Sequence, residues 1–250
     1  MLNFKSVKTQ LIIYLVCFGV FLKFRGEHYS FLFSVLTAVT AAVVIESFIL
    51  YLKTRKFQIT ESSVITGLII GFVLSSYEPW WKLALAAVLA ISSKHLLRFR
   101  QKHIFNPAAL GIFLITVIFD ASTQWKGTYL WYILVPFGLY FTNKIRKIEV
   151  IAGYLLVSLG LFGTQALLLN VPLGNIFGYL SYFYIFVMVI EPKTTPIKTM
   201  GKYLFGAATA GLVFVLTEAG IGFDAELFSL LAMNAVFRLI NGFQLKRRVA

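Results

Sequence analysis

Three groups of polar residues in this chain have types and spacings that could do chemistry. Glu46 lies within a long apolar run, and a carboxylate inside a membrane is costly enough to mark a functional site. His103 and Asn106 come just before Pro107 and a run of small and apolar residues. The segment Glu191–Pro196 combines a carboxylate, two hydroxyls and two prolines. Such groups offer hydrogen bonds to an ion or to a heteroaromatic ring.

Each group also has a purely structural interpretation. Glu46 could form a buried charge pair with Arg238, which lies at a similar depth in the last apolar stretch, instead of an ion site. Asn106 is a good N-cap and Pro107 suits a first helical turn, so this motif could simply start a helix. The small residues after Pro107 would let another helix pack closely. Glu191–Pro196 could equally be a stiff turn.

The elements that position these residues follow from composition. The 250 residues are 59% hydrophobic and 13% charged, with a mean hydropathy of +0.82, whereas soluble domains carry roughly 25% charged residues. This balance excludes a disordered chain, a nucleic-acid-binding module and a soluble enzyme. One cysteine, Cys17, and three histidines give no metal-binding spacing. The chain is predicted to be an all-α integral membrane protein with no nucleic-acid partner.

Ten apolar stretches can be counted, and several are shorter than the roughly 20 residues that span a bilayer as a straight helix. They lie at about 10–22, 30–51, 63–76, 80–92, 105–119, 129–142, 149–169, 174–190, 203–217 and 225–241. If each crosses the membrane once, 19 of the 23 Lys and Arg residues fall on one side. Basic residues collect in cytoplasmic loops. The pattern therefore predicts ten transmembrane helices with both termini in the cytoplasm.

Short loops throughout predict a single polytopic membrane domain, 1–250, with possible halves at 1–122 and 123–250. Five helices in each half would make the two halves inverted repeats. The pairs Glu78-Pro79 and Glu191-Pro192 interrupt the third-to-fourth and eighth-to-ninth stretches, which favours such a repeat. Inverted repeats commonly place a binding site near the middle of the membrane.

The motifs together resemble a known family. Ser63-Val-Ile-Thr-Gly-Leu-Ile-Ile-Gly, Glu78-Pro-Trp-Trp, Phe105-Asn-Pro-Ala-Ala-Leu-Gly and Glu191-Pro-Lys-Thr-Thr-Pro, over about residues 55–248, resemble one membrane component, the B component, of the Na⁺-translocating NADH:quinone oxidoreductase and the corresponding D component of the Rnf electron transport complex. The resemblance implies a membrane flavoprotein that relays electrons. It also implies a non-covalent flavin, riboflavin or FMN, near the inner side.

The same resemblance suggests which residues bind the cofactor. Asn106 and Thr195 would form hydrogen bonds with the ring, Pro107 and Pro196 would shape the pocket, and Thr66 would line it. His103 stands where the family motif has its first Asn. Family members also carry an FMN esterified to Thr in a Gly-Ala-Thr motif on an outer loop. The corresponding loop here, Asp120–Gly127, lacks that motif, which argues against a covalent FMN.

The predicted function is a flavin-binding electron-transfer subunit in the plasma (inner) membrane of a prokaryote. It would take electrons from a cytoplasmic flavin or iron–sulfur reductase, or another electron-transport subunit, and pass them to a quinone or another acceptor. The positive inner loops would attract an acidic donor. Two alternatives remain open: a transporter or channel for a small solute or ion, in which Glu46 would bind the ion, and a cofactor-free membrane anchor for a reductase.

Overall fold

A computed structural model describes residues 6–99 and 102–246, and these residues are overwhelmingly helical. Lys5, Arg100, Arg247 and Arg248, which entered the count of basic residues, lie outside this part of the chain. The α-helices are α1 (Val7–Phe24), α2 (Tyr29–Thr54), α3 (Glu61–Val73), α4 (Trp80–Leu96), α5 (Pro107–Phe119), α6 (Trp131–Lys144), α7 (Ile148–Leu168), α8 (Thr199–Glu218) and α9 (Ala225–Lys246). The predicted all-α membrane fold is confirmed.

Two short elements depart from α-helix. Strands β1 (Arg98–Phe99) and β2 (Lys102–His103) form a small hairpin between α4 and α5. The eighth apolar stretch contains a 3-10 helix, Leu173–Gly178, and a π-helical segment, Tyr184–Met188. Pro172 and two glycines in this stretch favour a break in the α-helix, because proline lacks an N–H group and glycine is a poor helix former. Each of the ten predicted stretches nevertheless contains helical residues.

Length and composition qualify four of the described helices to cross a membrane on their own, namely α1, α2, α7 and α8. Helices α3 and α5 are apolar but only 13 residues long. At 1.5 Å per residue, such a helix covers about 20 Å of a hydrocarbon core about 30 Å thick. The shorter helices therefore need flanking residues or tilt to cross the membrane. The orientation of the termini stays a prediction.

The chain divides into two compact units. The first consists of the described residues of Met1–Arg98 and Pro107–Gly127, and the second of those of Phe99–Asn106 and Thr128–Ala250. The first unit holds α1–α5, and the second holds α6–α9 with the π-helical segment. The halves predicted at 1–122 and 123–250, and their inverted relation, stay predictions.

The main helix pairings recur in both units. In the first, α2 packs on α3 and α4, α4 packs on α5, and α1 packs on α3. In the second, α7 packs on the π-helical segment and α8, α8 packs on α9, and α6 packs on the π-helical segment. If the sixth to tenth stretches are aligned with the first to fifth, these pairs correspond. The recurrence supports the repeat that the two Glu-Pro pairs suggest.

Glycines allow the closest of these packings. A Cβ at Gly111 of α5 would collide with the Ala86 carbonyl of α4, and one at Gly206 of α8 would collide with the Val150 carbonyl of α7. Helices in membranes pack through such small residues because their backbones can then come close. The small face predicted after Pro107 is thus a helix-packing surface between α4 and α5.

Candidate functional site

The Glu191–Pro196 segment lies between the π-helical segment and α8 and is closely tied to its own unit. The Thr195 hydroxyl donates to the Glu191 carbonyl at 2.9 Å. The Lys147 ammonium, just before α7, donates to the carbonyls of Thr195 at 3.4 Å and Pro196 at 2.5 Å. Thr194, Thr195 and Pro196 are buried. The segment is therefore a fixed polar loop rather than a free surface turn.

Lys147 anchors this loop from a buried position. Burial lowers the pKa of Lys147 to about 8, with a further contribution from the charge of nearby Lys202. Lys202 is itself occupied, since it donates to the Arg146 carbonyl at 2.7 Å and to Glu149 at 3.1 Å. Two lysines of the predicted inner side thus act as structural hydrogen-bond donors and not only as surface charges.

The Glu191 carboxylate begins the loop and has only one of its two oxygens occupied among the described residues. Its Oε1 lies 2.8 Å from Nε2 of His103, which is 4% exposed. Its Oε2 is buried and has no hydrogen-bond partner in the same part of the chain. A buried carboxylate oxygen without a partner carries a substantial desolvation cost. The carboxylate is therefore an acceptor available to a ligand.

Asn106 joins the same cluster through both its backbone and its side chain. Its N–H donates to Oδ1 of Asn234 in α9 at 2.9 Å, and its side-chain amide donates to the Met188 carbonyl at 3.3 Å. Two pairs of residues three apart, His103 with Asn106 and Met188 with Glu191, are therefore linked side by side. Pro107 is the first residue of α5, as predicted.

Asn234 supplies the matching unused donor. It is fully buried in α9, and its Oδ1 is used by Asn106. Its Nδ2 has no hydrogen-bond partner within the part of the chain that the structure describes. The second unit thus contains a buried acceptor, Glu191 Oε2, and a buried donor, Asn234 Nδ2, around one network of hydrogen bonds. This pairing of functions suits the edge of a polar heteroaromatic ring.

The first unit contains the other residues predicted at the site. Thr66 of α3 is buried, and its hydroxyl donates to the Ser62 carbonyl one turn earlier at 2.9 Å. Pro107 also belongs to this unit. The structure therefore brings His103, Asn106, Thr195 and Pro196 together in the second unit. The cofactor-binding roles of all these residues remain predictions.

Glu46 has partners different from the one that the sequence suggested. Its Oε1 lies 2.8 Å from Nζ of Lys94, and its Oε2 lies 3.1 Å from Nε2 of His95, both in α4. Arg238, in the second unit, donates to the Phe99 carbonyl. The Glu46–Arg238 pair is thus replaced by a pairing within the first unit. The reason is that α2 packs directly on α4, which brings a lysine and a histidine to the carboxylate.

The outer loop expected to replace the covalent-FMN motif is folded onto the first unit. Ser122 donates through its N–H and its hydroxyl to Glu78 at 2.8 and 3.0 Å. The backbone N–H groups of Gln124 and Lys126 donate to the carbonyls that end α3, those of Val73 and Phe72. Ser122 therefore has a structural role in fastening this loop.

A comparison with protein families identifies the relationship. Residues 3–133, more than half of the chain, match the model of the NQR2, RnfD, RnfE family. The chain belongs to this family. The resemblance seen in the sequence motifs is thereby confirmed.

Individual relatives from the NQR2, RnfD, RnfE family are proteins named as the D component of an ion-translocating oxidoreductase complex. One from Shewanella piezotolerans is 32% identical over 113 residues, which are 43% of this chain and 32% of the relative. One from Psychromonas ingrahamii is 26% identical over 182 residues, 69% of this chain and 51% of the relative. One from Erwinia tasmaniensis is 31% identical over 126 residues, 47% of this chain and 36% of the relative. The chain spans between about a third and a half of the length of these relatives.

Sequence reasoning missed four residues of these networks. Asn234 is a single amide in the apolar run Leu230–Phe237, a pattern that could have marked it. Lys147, Lys94 and His95 were treated only as loop charges or an isolated histidine. Their burial depends on tertiary packing, and no local pattern signals it.

Proposed function

We propose that this family member is a membrane-embedded flavin-binding protein that relays electrons from a cytoplasmic reductase to a quinone or another acceptor. The observation that carries the proposal is the buried pair of unused polar atoms in the second unit, Glu191 Oε2 and Asn234 Nδ2. Family membership and relatives named as members of an ion-translocating oxidoreductase complex support it.

The residues fit the polar edge of an isoalloxazine ring. That edge offers one N–H donor between two carbonyl acceptors. Glu191 Oε2 would accept from the ring N–H, and Asn234 Nδ2 would donate to a ring carbonyl. His103 and Asn106 would hold these two side chains in place through the contacts described above. When bound, the flavin would supply one- and two-electron redox chemistry, and the protein would supply the pocket and its electrostatics.

A non-covalent flavin suits this chain better than a covalent one. The loop Asp120–Gly127 has no Gly-Ala-Thr motif, and its Ser122 hydroxyl is bound to Glu78 at 3.0 Å. That hydroxyl serves the loop and would have to leave Glu78 to carry a phosphoester. We therefore propose one non-covalent riboflavin or FMN, held in the second unit.

Location and partners follow from the same proposal. The excess of basic residues on one predicted side favours both termini in the cytoplasm of a prokaryote, with the chain in the plasma membrane. The same charges would steer an acidic cytoplasmic electron donor. The reductase would then be another member of a larger complex, as the names of the relatives suggest.

An absorption spectrum of the purified chain tests the proposal. The full chain would be isolated in mild detergent, and its flavin would be measured before and after acid precipitation. We expect a flavin spectrum whose chromophore is released into the supernatant by acid. Asn234→Ala should lower the flavin content by about tenfold, which corresponds to the loss of one buried hydrogen bond. The exposed Asn175→Ala should leave it unchanged.

Folded protein without flavin would overturn this function and would favour a membrane anchor or a transporter. Flavin that stays with the precipitated protein would show a covalent link and contradict the non-covalent site. Equal flavin content in the Asn234→Ala and Asn175→Ala variants would remove Asn234 from the site.

A further inference from the structure

The first unit contains a connected set of titratable groups that the flavin proposal does not use. Glu46 is 2% exposed in the middle of α2's apolar surroundings. Lys94 is also buried, whereas Lys53, near the end of α2, is exposed. His95 connects them, since its Nε2 lies 3.1 Å from Glu46 and its Nδ1 lies 3.2 Å from Lys53 Nζ. One imidazole therefore joins an exposed ammonium to a buried carboxylate.

Hydrogen-bond chemistry fixes the direction of this connection. A lysine ammonium can only donate, so Nδ1 of His95 must accept from Lys53. A neutral imidazole then carries its proton on Nε2 and donates to Glu46. Such an arrangement can pass a proton, because the ring can receive one at Nδ1 and release the other at Nε2. The three groups are ordered from the surface to the interior.

We propose that Glu46 is a proton-binding site inside the membrane-spanning part of the chain, and that Lys53 and His95 form its entry path. Lys53 gives a proton to His95 Nδ1, and the proton on His95 Nε2 passes to Glu46 Oε2. Lys53 is recharged from water, and the ring returns to its starting tautomer. One proton moves from solvent to the carboxylate, and no electron is transferred.

Lys94 makes the site selective for a proton over a metal cation. Its ammonium lies 2.8 Å from Glu46 Oε1 and remains beside the carboxylate when His95 occupies the other oxygen. A sodium ion would have to displace a buried lysine and would lie next to its positive charge. A proton needs no coordination space and can bind at Oε2. The cluster therefore suits proton binding and excludes a sodium site.

The charged surroundings of the relay are simple. The ionisable groups that act on His95 are Glu46, Lys53 and Lys94. Helix α5 has no charged residue, and the one acidic residue of α3, Glu61, is bound by Ser6 and Thr9. Protonation changes observed in this part of the chain can therefore be assigned to the Glu46 cluster.

The experiment is a pH jump followed by infrared difference spectroscopy on the full chain in lipid nanodiscs. As the pH is lowered, we expect a carboxylic-acid C=O band that is absent in Glu46→Gln. His95→Gln should slow the appearance of the band by about tenfold, because a positioned proton carrier is lost. Lys53→Met should slow it by a smaller factor and, being exposed, should leave the fold intact.

Matched variants and salts make each outcome decisive. His28→Gln and Lys56→Met, which change a histidine and a lysine outside the cluster, should give the wild-type rate. Replacing choline by sodium should leave the band unchanged. A band that persists in Glu46→Gln, equal rates in Lys53→Met and Lys56→Met, or a band displaced by sodium would each overturn the proposal. The flavin content plays no part in this readout, so the two proposals can fail separately.

Discussion

The two Glu-Pro pairs occupy corresponding places in the two units but serve different ends. Glu78 uses both carboxylate oxygens, one for Ser122 and the other for Lys82 at 2.7 Å. Glu191 uses one oxygen for His103 and leaves the other without a partner among the described residues. One carboxylate closes a loop onto its unit, and the other retains a buried acceptor.

The difference shows how a repeated framework can hold one working site. The helix pairings recur in both units, so the packing framework alone does not account for the contrast. The change lies in the polar residues that meet each carboxylate. Complete satisfaction stabilises a structure, whereas an unsatisfied buried group has to be explained by a ligand or a function. The second unit is therefore where a cofactor is expected.

The largest expected effect tests whether the shared framework depends on close helix packing. Gly206→Ala should lower the free energy of unfolding by about 2–4 kcal/mol, because the new methyl group would collide with the Val150 carbonyl. Gly211→Ala in the same helix has open space and should be neutral or slightly stabilising. Unfolding titrations in mixed detergent measure both, and equal stabilities would show that α7 and α8 can separate at no cost.

A second test compares the two carboxylates directly. Glu78→Gln should lower the free energy of unfolding by about 1–2 kcal/mol, because it removes a charge that accepts hydrogen bonds from Ser122 and Lys82. Glu191→Gln should cost less, since its Oε1 can still accept from His103. The same unfolding titration compares the two variants. A larger loss for Glu191→Gln would reverse the structural roles of the two carboxylates.

Removing the loop anchor gives a smaller, local effect. Lys147→Met should raise the hydrogen-exchange rate of the amides in the Glu191–Pro196 segment by about tenfold, because two carbonyls lose their donor. The global stability should fall by only about 1 kcal/mol, since the buried charge also disappears. Lys144→Met, on the exposed end of α6, is the matched control. Unchanged exchange in Lys147→Met would show that other contacts hold the loop.

The smallest expected effect is a pH dependence. Burial lowers the pKa of Lys147 from 10.5 to about 8. Between these values the unfolded chain holds a proton that the folded chain has released, so stability from this group rises with pH. Wild type should therefore gain stability relative to Lys147→Met from about pH 8 to 10.5. Parallel pH profiles in thermal unfolding would contradict this.

Glu78 gives a separate dependence at acidic pH. Burial acts to raise the pKa of its carboxyl, but hydrogen bonds from Lys82 and Ser122 outweigh burial and lower it below 4.5. Its stabilising contribution is present above that value and is lost as pH falls through the lowered pKa. Wild type and Glu78→Gln should therefore converge in stability at the acidic end of the titration.

Much of the fold could be predicted from the sequence. Apolar runs and turn residues placed all ten helical stretches, because burial in lipid requires long apolar segments. Pro107 was placed correctly at the start of a helix. The π-helical form of Tyr184–Met188 could not be predicted, since its residues also suit an α-helix and only packing separates the two.

The candidate site was predicted only in part. The motifs pointed to Asn106 and to the Glu191 loop, and the structure links them through Met188 and Asn234. The partners of Glu46 were not predictable, because Lys94 and His95 resemble loop charges until α2 and α4 are packed together. Local patterns identify polar residues, whereas tertiary contacts decide which of them remain unsatisfied.

The most direct test of a flavin site in the second unit is the flavin content of three proteins purified in the same way: wild type, Glu191→Gln and Glu78→Gln. We expect about one acid-releasable flavin per wild-type chain, a similar content in Glu78→Gln, and a loss of about tenfold in Glu191→Gln, whose amide can no longer accept from the ring N–H with a full charge. Equal loss in both variants, or a folded wild type without flavin, would contradict the assignment of the cofactor site to the second unit.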